Sequence, residues 1–484
     1  MSASREKKKR QELREESMLE DNNGKKSRKK LSEKAKNRIY AAIAVVLLVV
    51  FALLIFVNSG FLETHLTAVT AGSYKVTPAQ YNYFYMDTYY TYYSYYGDYV
   101  AYFDLESTTL STIEEAYSLY DQAEEAGYIL TQDEVLEIEE TITALDESAD
   151  YYGYKNANTY LEAYFGKGSD TESYEEYLTM RQIASDYANE IYDSFSYTDE
   201  EIEAYYEENV TDFDLVTYRY YFVDGSAEDD EDETDALNDA AAIAEAMATA
   251  SAGSEDTFIS MAYDNADEDS KETYEDEDAT LREDISYSSL GSDYADWLFD
   301  TARREGETTY VESTSSTGYY VLYFVSRDTL DYNTVNVRHI LIEVDDTTDE
   351  DEMAEALAEA EEILAEYEAG EQTAEAFAEL AETYSSDTGS NTNGGLYEEV
   401  YQGEMVDSFN DWCFDESREP GDTGIVESDY GYHIMYFDSY GDIYRNITVE
   451  STMRSDDYSA WYEEISADFE PVTSSFGMRF ISNS

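Results

Sequence analysis

The chain has 484 residues and carries 110 Asp/Glu against 29 Lys/Arg, a formal net charge of −81. Such a surface repels polyanions, which excludes nucleic acid as a partner and favours cationic or neutral ones. The single cysteine, Cys413, excludes an intramolecular disulfide and any zinc site built on cysteine pairs, so core packing must hold the fold.

Residues 1–38 hold 14 Lys/Arg and 7 Asp/Glu, and the next stretch, Ile39 to Val57, runs 19 residues without a charge. That is long enough to span a bilayer as a helix. The basic flank predicts that the N-terminal side stays in the cytoplasm. Residues 39–57 therefore read as a single-pass anchor in the cell membrane, with the bulk of the chain extracytoplasmic. From residue 39 onward there are 15 Lys/Arg against 103 Asp/Glu, so the acidity lies on the exported side. A cleaved signal peptide is the competing reading. The apolar run is long for one, and the nearest small-residue site, Val69-Thr70-Ala71, lies 14 residues beyond it. No cysteine follows the segment closely, so a lipoprotein anchor is excluded.

Residues 60–214 read as mostly helical. Between Tyr81 and Phe103, 11 of 23 residues are tyrosine. Short amphipathic pieces follow, such as Glu134 to Glu139 and Tyr174 to Leu178, with apolar residues three and four apart. Proline is absent between Pro78 and Pro420, which suits long helices. Thr198 with Glu201 three residues on predicts a capped helix start. Tyrosine joins apolar area to a hydroxyl, which suits weak binding of unfolded chains; an ordinary helical domain explains the composition equally well.

The chain then repeats itself. Asp296-Trp297-Leu298-Phe299-Asp300 matches Asp411-Trp412-Cys413-Phe414-Asp415 at an offset of 115, as Gly306 matches Gly421 and Val311-Glu312-Ser313 matches Val426-Glu427-Ser428. Tyr218-Arg219-Tyr220 aligns with Val337-Arg338-His339, and Gly318-Tyr319-Tyr320 with Gly431-Tyr432-His433. Two related modules are expected, at 216–328 and 335–440. Each reads strand, acidic loop, helix, short helix, turn, helix, strand, strand. In the second, Met353, Leu357, Ala360, Leu364 and Tyr367 share a helical face, and Gly370 suits its stop. Such helices should cover one side of a small sheet, an α+β arrangement. Residues 441–484 contain an amphipathic piece around Tyr458 to Phe469.

Only three histidines occur, and two sit in matching settings 94 residues apart: Val337-Arg338-His339-Ile340-Leu341 and Gly431-Tyr432-His433-Ile434-Met435. Between them come Tyr384-Ser385-Ser386-Asp387, the pair Gly394-Gly395, Gln402-Gly403-Glu404-Met405 with Phe409, and Gly421 to Val426 with Ser428. In this combination 335–440 resembles the parvulin family of peptidyl-prolyl isomerases. The resemblance implies two inward-facing histidines from neighbouring strands beneath a proline pocket. His339, Asp387, Ser428 and His433 would be its catalytic polar floor, and Met405, Phe409 and Val400 its substrate-binding walls. Asp387 would orient or tune the histidine pair, whose protonation is expected to be sensitive near neutral pH. No metal and no cofactor are implied, and His65 receives no role. One departure is visible: the family commonly has an acidic residue and a glycine after Gly-Gly, whereas Leu396-Tyr397-Glu398-Glu399 stands here. The acidic loop from Asp345 to Glu352 would repel a phosphate, so phosphorylated substrates are not expected.

In the first module both histidine positions are tyrosine, Tyr220 and Tyr320, and Arg282-Glu283-Asp284-Ile285-Ser286 replaces the Gly-Gly turn. It is expected to be a degenerate parvulin-like module without isomerase activity, serving to bind peptides or as a spacer. Its acidic loop, Glu228 to Glu233, lacks the spacing of a calcium loop and reads as solvated. Glu201, Tyr205, Tyr206, Glu207 and Asn209 lie in a helix leading into a strand, similar to what precedes the isomerase domain in PrsA-type and SurA-type foldases. That resemblance implies that 441–484 packs back on the helical region.

The expectation is thus an α+β chain with an N-terminal transmembrane helix, a mostly helical chaperone-like region and two tandem parvulin-like modules. Its expected function is a membrane-anchored extracytoplasmic foldase that isomerises X-Pro bonds in unfolded, newly exported polypeptides; homodimerisation is left open. The alternative is a non-catalytic chaperone or surface peptide-binding protein that keeps the parvulin fold, a reading the altered stretch Leu396 to Glu399 favours. A hydrolase lacks support, since neither His-Glu-x-x-His nor Gly-x-Ser-x-Gly occurs.

Overall fold

The computed structural model describes residues 6–15, 32–227 and 232–482. The solvated-loop reading of Glu228 to Glu233 falls mostly on residues 228–231, outside the described residues, as does much of the basic tail. The apolar stretch forms one helix, Glu33–Val57. From Lys36 to Val57 it is long and apolar enough to cross a membrane, and none of that stretch is buried in the protein. The chain divides into two units, Met1–Ile191 with Ala460–Ser484, and Tyr192–Ser459.

The first unit is built on helices Pro78–Tyr96, Leu105–Ala126, Gln132–Tyr152, Ala157–Phe165 and Thr171–Ser194. Thr77 with Gln80 and Thr131 with Glu134 close capping boxes that satisfy otherwise orphaned N–H groups. The core is aromatic: Tyr81, Tyr83, Phe84, Phe165 and Tyr177 pack with Ile113 and Leu161, and Phe469 joins them from far along the chain. The tyrosine-rich stretch is split by burial, with Tyr81 and Tyr83 inside and Tyr95, Tyr99 and Tyr102 exposed. A small sheet escapes the helical reading. Val69–Ala71 (β1) and Tyr74–Val76 (β2) form a hairpin, and Val472–Thr473 pairs antiparallel with β1. Strands this short carry too little alternation to register as a pattern.

The second unit opens with the helix Asp199–Glu208, capped by Thr198 and Glu201. Two four-stranded antiparallel sheets follow. The first comprises Leu215–Asp224 (β3), Leu281–Ser286 (β4), Thr308–Glu312 (β5) and Gly318–Asp328 (β6), in the order β4-β3-β6-β5. The second comprises Asn333–Glu343 (β7), Leu396–Val400 (β8), Thr423–Ser428 (β9) and Gly431–Ile443 (β10), in the order β8-β7-β10-β9. The two orders are the same.

Strand alternation gives each sheet two faces. In the second sheet Ile340, Ile342, Ile434 and Tyr436 meet Ala360, Ile363 and Phe377 of helices Glu350–Ala369 and Ala374–Tyr384. Val335, Val337, Met435 and Phe437 point the other way, onto Phe409 and Cys413 of the short helix Asp407–Cys413. The first sheet is arranged alike, with Tyr221, Val223 and Val321 facing Ala244 and Phe258, and Val216, Leu322 and Phe324 facing Leu298 and Phe299. A shared contact underlies the tryptophan repeat. The Arg303 guanidinium lies 3.9 Å from the Trp297 ring centroid and donates Nε–H to the Trp297 carbonyl at 2.9 Å. Arg418 repeats this on Trp412, at 4.0 Å and 3.1 Å.

The structure corrects the module pattern at one element. Where the sequence reads a turn running straight into a helix, each module inserts an edge strand, β4 or β8. An edge strand faces solvent along one side and so tolerates charge, and Glu398 and Glu399 mask the alternation of β8. Its pairing is also broken by a register shift between Val335 and Val337 of β7.

Candidate active site

His339 and His433 come from β7 and β10, the central pair of the second sheet. His339 stands opposite Met435 and His433 opposite Leu341, so the two are diagonal neighbours on one face. Both are buried, 5% and 6% exposed. Their Nδ1 atoms lie 3.0 Å apart. The outer nitrogens are held as well: His339 Nε2 is 2.8 Å from Asp387 Oδ2, and His433 Nε2 is 2.8 Å from Ser428 Oγ.

Local devices deliver these partners. The Ser385 hydroxyl accepts the N–H of Leu341 at 3.1 Å and that of Asp387 at 3.3 Å, tying the Asp387 loop to β7. The Gly395 carbonyl accepts the His339 N–H at 2.9 Å. Gly395 has φ +71, and a Cβ there would lie 2.3 Å from the His339 carbonyl oxygen, so the Gly-Gly turn answers a close backbone approach. Ser428 ends β9, and its hydroxyl accepts the Tyr430 N–H at 3.1 Å.

Burial opposes charge on Asp387, but hydrogen bonds from Ser390, His339, the Gly389 N–H and Tyr397 outweigh it and hold the carboxyl well below its usual range. Burial pushes His339 below the ordinary imidazole pKa, against the pull of Asp387. Burial likewise pushes His433 down to about 4, with His339 beside it adding to the fall. This corrects the expected sensitivity near neutral pH: desolvation keeps both imidazoles neutral there. The tautomers then follow. A carboxylate only accepts, so His339 carries its proton on Nε2; His339 Nδ1 accepts from His433 Nδ1–H, and His433 Nε2 accepts from the Ser428 hydroxyl. The four groups form one directed chain from Ser428 to Asp387.

Phe409 stands edge-on to both rings, its centroid 5.4 Å from that of His339 and 5.5 Å from that of His433. It is only 2% exposed. Val400 ends β8 opposite Val335 and is buried in the Val335, Val337 and Phe409 cluster, with Met405 half-buried against it. His339, Asp387, Ser428, His433 and Phe409 are thus brought together, and Val400 belongs to the same apolar cluster as Phe409.

Two participants escape the sequence reading. Tyr397 donates its hydroxyl to Asp387 Oδ2 at 3.0 Å, with its ring centroid 5.4 Å from that of His339. The Ser390 hydroxyl donates to the same carboxylate. The stretch that departs from the family pattern therefore feeds the site. The available signal was strand parity: Tyr397 pairs with Val337, on the histidine face of β7. In the first sheet Tyr220 stands opposite Leu322 and Tyr320 opposite Phe222, the register positions of the two histidines. Their ring centroids are 6.5 Å apart, and Arg282 lies 4.7 Å from the centroid of Tyr220.

A family profile described as a PPIC-type PPIase domain matches residues 319–439, beginning within β6. Foldase protein PrsA 1 of Listeria innocua serovar 6a is 38% identical over 101 residues, which is 21% of this chain and 29% of that protein. Foldase protein PrsA of Halalkalibacterium halodurans is 36% identical over 117 residues, 23% of this chain and 29% of that protein. The chain thus spans 29% of the length of these relatives. The crystal structure of the peptidylprolyl isomerase PrsA from Bacillus anthracis covers 29% of this chain and 60% of its own at 19% identity, with a TM-score of 0.20. Profile and relatives agree on one stretch: residues 319–439 match the PPIC-type PPIase domain, and this part of the chain is similar in sequence to the PrsA foldases.

Proposed function

We propose that this protein is a foldase that catalyses cis–trans isomerisation of X-Pro peptide bonds in unfolded polypeptides, with the site at His339, Asp387, Ser428 and His433. The observation that carries the reading is the directly bonded histidine pair, anchored at both ends, on a face walled by Phe409. Rotation about a peptide C–N bond faces a barrier of roughly 18–20 kcal/mol, and proline leaves exchange on the order of tens to hundreds of seconds. Twisting the bond removes amide resonance, so the twisted state is less polar at oxygen than the planar one. An apolar wall that desolvates the prolyl amide favours that state over the planar ground state. In this reading the neutral histidine chain supplies a rigid floor with fixed hydrogen directions, and Phe409 and Met405 supply the wall. Val400 would support the wall from within the core.

The apolar helix Glu33–Val57 would anchor the chain in the membrane, with the acidic bulk outside the cytoplasm. The first module, with Tyr220 and Tyr320 at the histidine positions, would bind or space without isomerase activity. The test is NMR exchange or a protease-coupled assay on the full chain with unphosphorylated X-Pro peptides, beside His433→Ala checked for folding by circular dichroism. Acceleration that disappears in the folded variant is expected. No acceleration from a well-folded chain would sink the reading.

A further inference from the structure

A cavity of about 560 Å³ opens in the helical unit, walled by residues of β2 and of helices Pro78–Tyr96, Leu105–Ala126 and Thr171–Ser194. Its floor is aromatic. Tyr117 and Tyr177 line it and are 8% and 5% exposed, and Tyr120 stands beside them. Tyr74 closes one side, its ring centroid 4.9 Å from that of Tyr117. Another part of the lining is acidic: Glu172, Glu175 and Glu176 occupy positions i, i+3 and i+4 of the Thr171–Ser194 helix and so share a face. Behind Tyr74 stand two more carboxylates, since its hydroxyl donates to Asp121 and to Glu124 at 3.0 Å each. None of the lining residues is cationic.

One polar atom opens on this cavity without a protein partner. The Tyr117 hydroxyl has no hydrogen-bond partner among the described residues, while the residue as a whole is only 8% exposed and lines the cavity. A ligand that donates to it replaces water there within an apolar surround. The acids do not reduce to helix-end stabilisation, because Glu175 and Glu176 lie beyond the first turn, where the macrodipole fades.

We propose that this cavity binds a lysine or arginine side chain of an extended polypeptide. An ammonium or guanidinium group gains from aromatic faces and from carboxylates at once, and it can donate to the free phenol. The apolar stem of either side chain suits the buried Met180 beside the tyrosines. The volume falls within the range of ordinary ligand pockets and admits flanking backbone as well. The net charge of −81 draws cationic segments toward the surface and speeds encounter. Neither neutral nor acidic side chains satisfy both walls. This site is independent of the histidines, and the proposal stands whether or not the chain isomerises proline.

The test uses the full chain in detergent and a short fluorescent Gly-Ser peptide carrying two arginines, read by anisotropy. Its twin with citrulline at both positions is expected to bind about tenfold more weakly. Glu175→Gln with Glu176→Gln, both at exposed positions, should lower affinity for the arginine peptide about fivefold, and Tyr120→Leu about threefold. The control is Glu355→Gln with Glu359→Gln, which removes the same charge from an exposed helix elsewhere and should leave affinity unchanged. Equal loss in the control pair, or equal binding of the citrulline twin, overturns the proposal. Isomerisation of a neutral X-Pro peptide, measured on the same samples, should be unaltered by Glu175→Gln with Glu176→Gln, which separates failure of this site from failure of the isomerase reading.

Discussion

His339 and His433 meet through their Nδ1 atoms at 3.0 Å, and neither ring keeps a free nitrogen. Two neutral imidazoles have one proton to place between them, and a carboxylate at one end decides which ring gives it. Asp387, on the loop tied to β7, therefore sets the hydrogen direction at Ser428 on β9.

Loss of Asp387 should cost more than loss of Ser428. Asp387→Ala strands the donors of His339, Ser390 and Tyr397 in a largely buried site, for roughly 1–3 kcal/mol of stability. Ser428→Ala removes one neutral hydrogen bond, about 1 kcal/mol. Urea unfolding midpoints check the order, and a smaller effect at Asp387 would contradict the directed chain.

Acidification should weaken the fold through the histidines. In the unfolded chain they titrate near the ordinary value of about 6.5. In the fold His433 titrates at about 4. Between those values the unfolded chain binds more protons, so the contribution is complete above the upper value and is lost as pH falls toward the lower one. For His433 the loss is on the order of 3 kcal/mol. The large acidic charge adds a pH dependence of its own, so the difference between wild type and His433→Gln isolates the effect. Asp387 acts in the same direction only below its unfolded value of about 3.9. A difference that stays flat from about pH 7 to about pH 4.5 would show that the pair is not desolvated.

Two glycines separate backbone strain from crowding. Gly403 has φ +84 with nothing within 4 Å of a built Cβ, so Gly403→Ala should cost about 1–2 kcal/mol from strain alone. At Gly395 the same strain meets the His339 carbonyl, and the cost should exceed this by roughly 2 kcal/mol. Thermal unfolding of both variants, with the His339 ring resonances followed by NMR, checks the order.

Cys413 should be inert in the folded chain. Burial raises its thiol to about 12, against the nearby Arg418, and the residue is 1% exposed. Labelling by a thiol reagent should therefore follow unfolding and speed up sharply in denaturant. Fast labelling of the native chain would place Cys413 outside the core.

What the sequence disclosed of the site are residues whose chemical type is constrained. Gly395 is legible because no other residue tolerates that approach, and the histidines are legible because only three occur in the chain. Asp387 was placed by the resemblance of Tyr384-Ser385-Ser386-Asp387, followed by Gly394-Gly395, to the parvulin loop. Tyr397 was hidden by abundance, since one tyrosine among 51 carries no signal. The neutrality of the pair was hidden because depth of burial is a property of the folded sheet. In the fold, the apolar face of the helix from Met353 to Tyr367 was legible, while charged edge strands and the three-residue strands of the hairpin fell below what periodicity resolves.

The pairing of Val472–Thr473 with β1, and the place of Phe469 in the core of the helical unit, carry a consequence for the order of synthesis. One unit is contiguous from Tyr192 to Ser459, whereas the other draws on residues from before and after it. A ribosome releases every residue of the inserted unit before the flanking unit has its closing strand. The helical unit must therefore wait, with aromatic surface uncovered, until translation has run past residue 473. A stall or a nick after Ser459 would spare the sheets and unseat the helices.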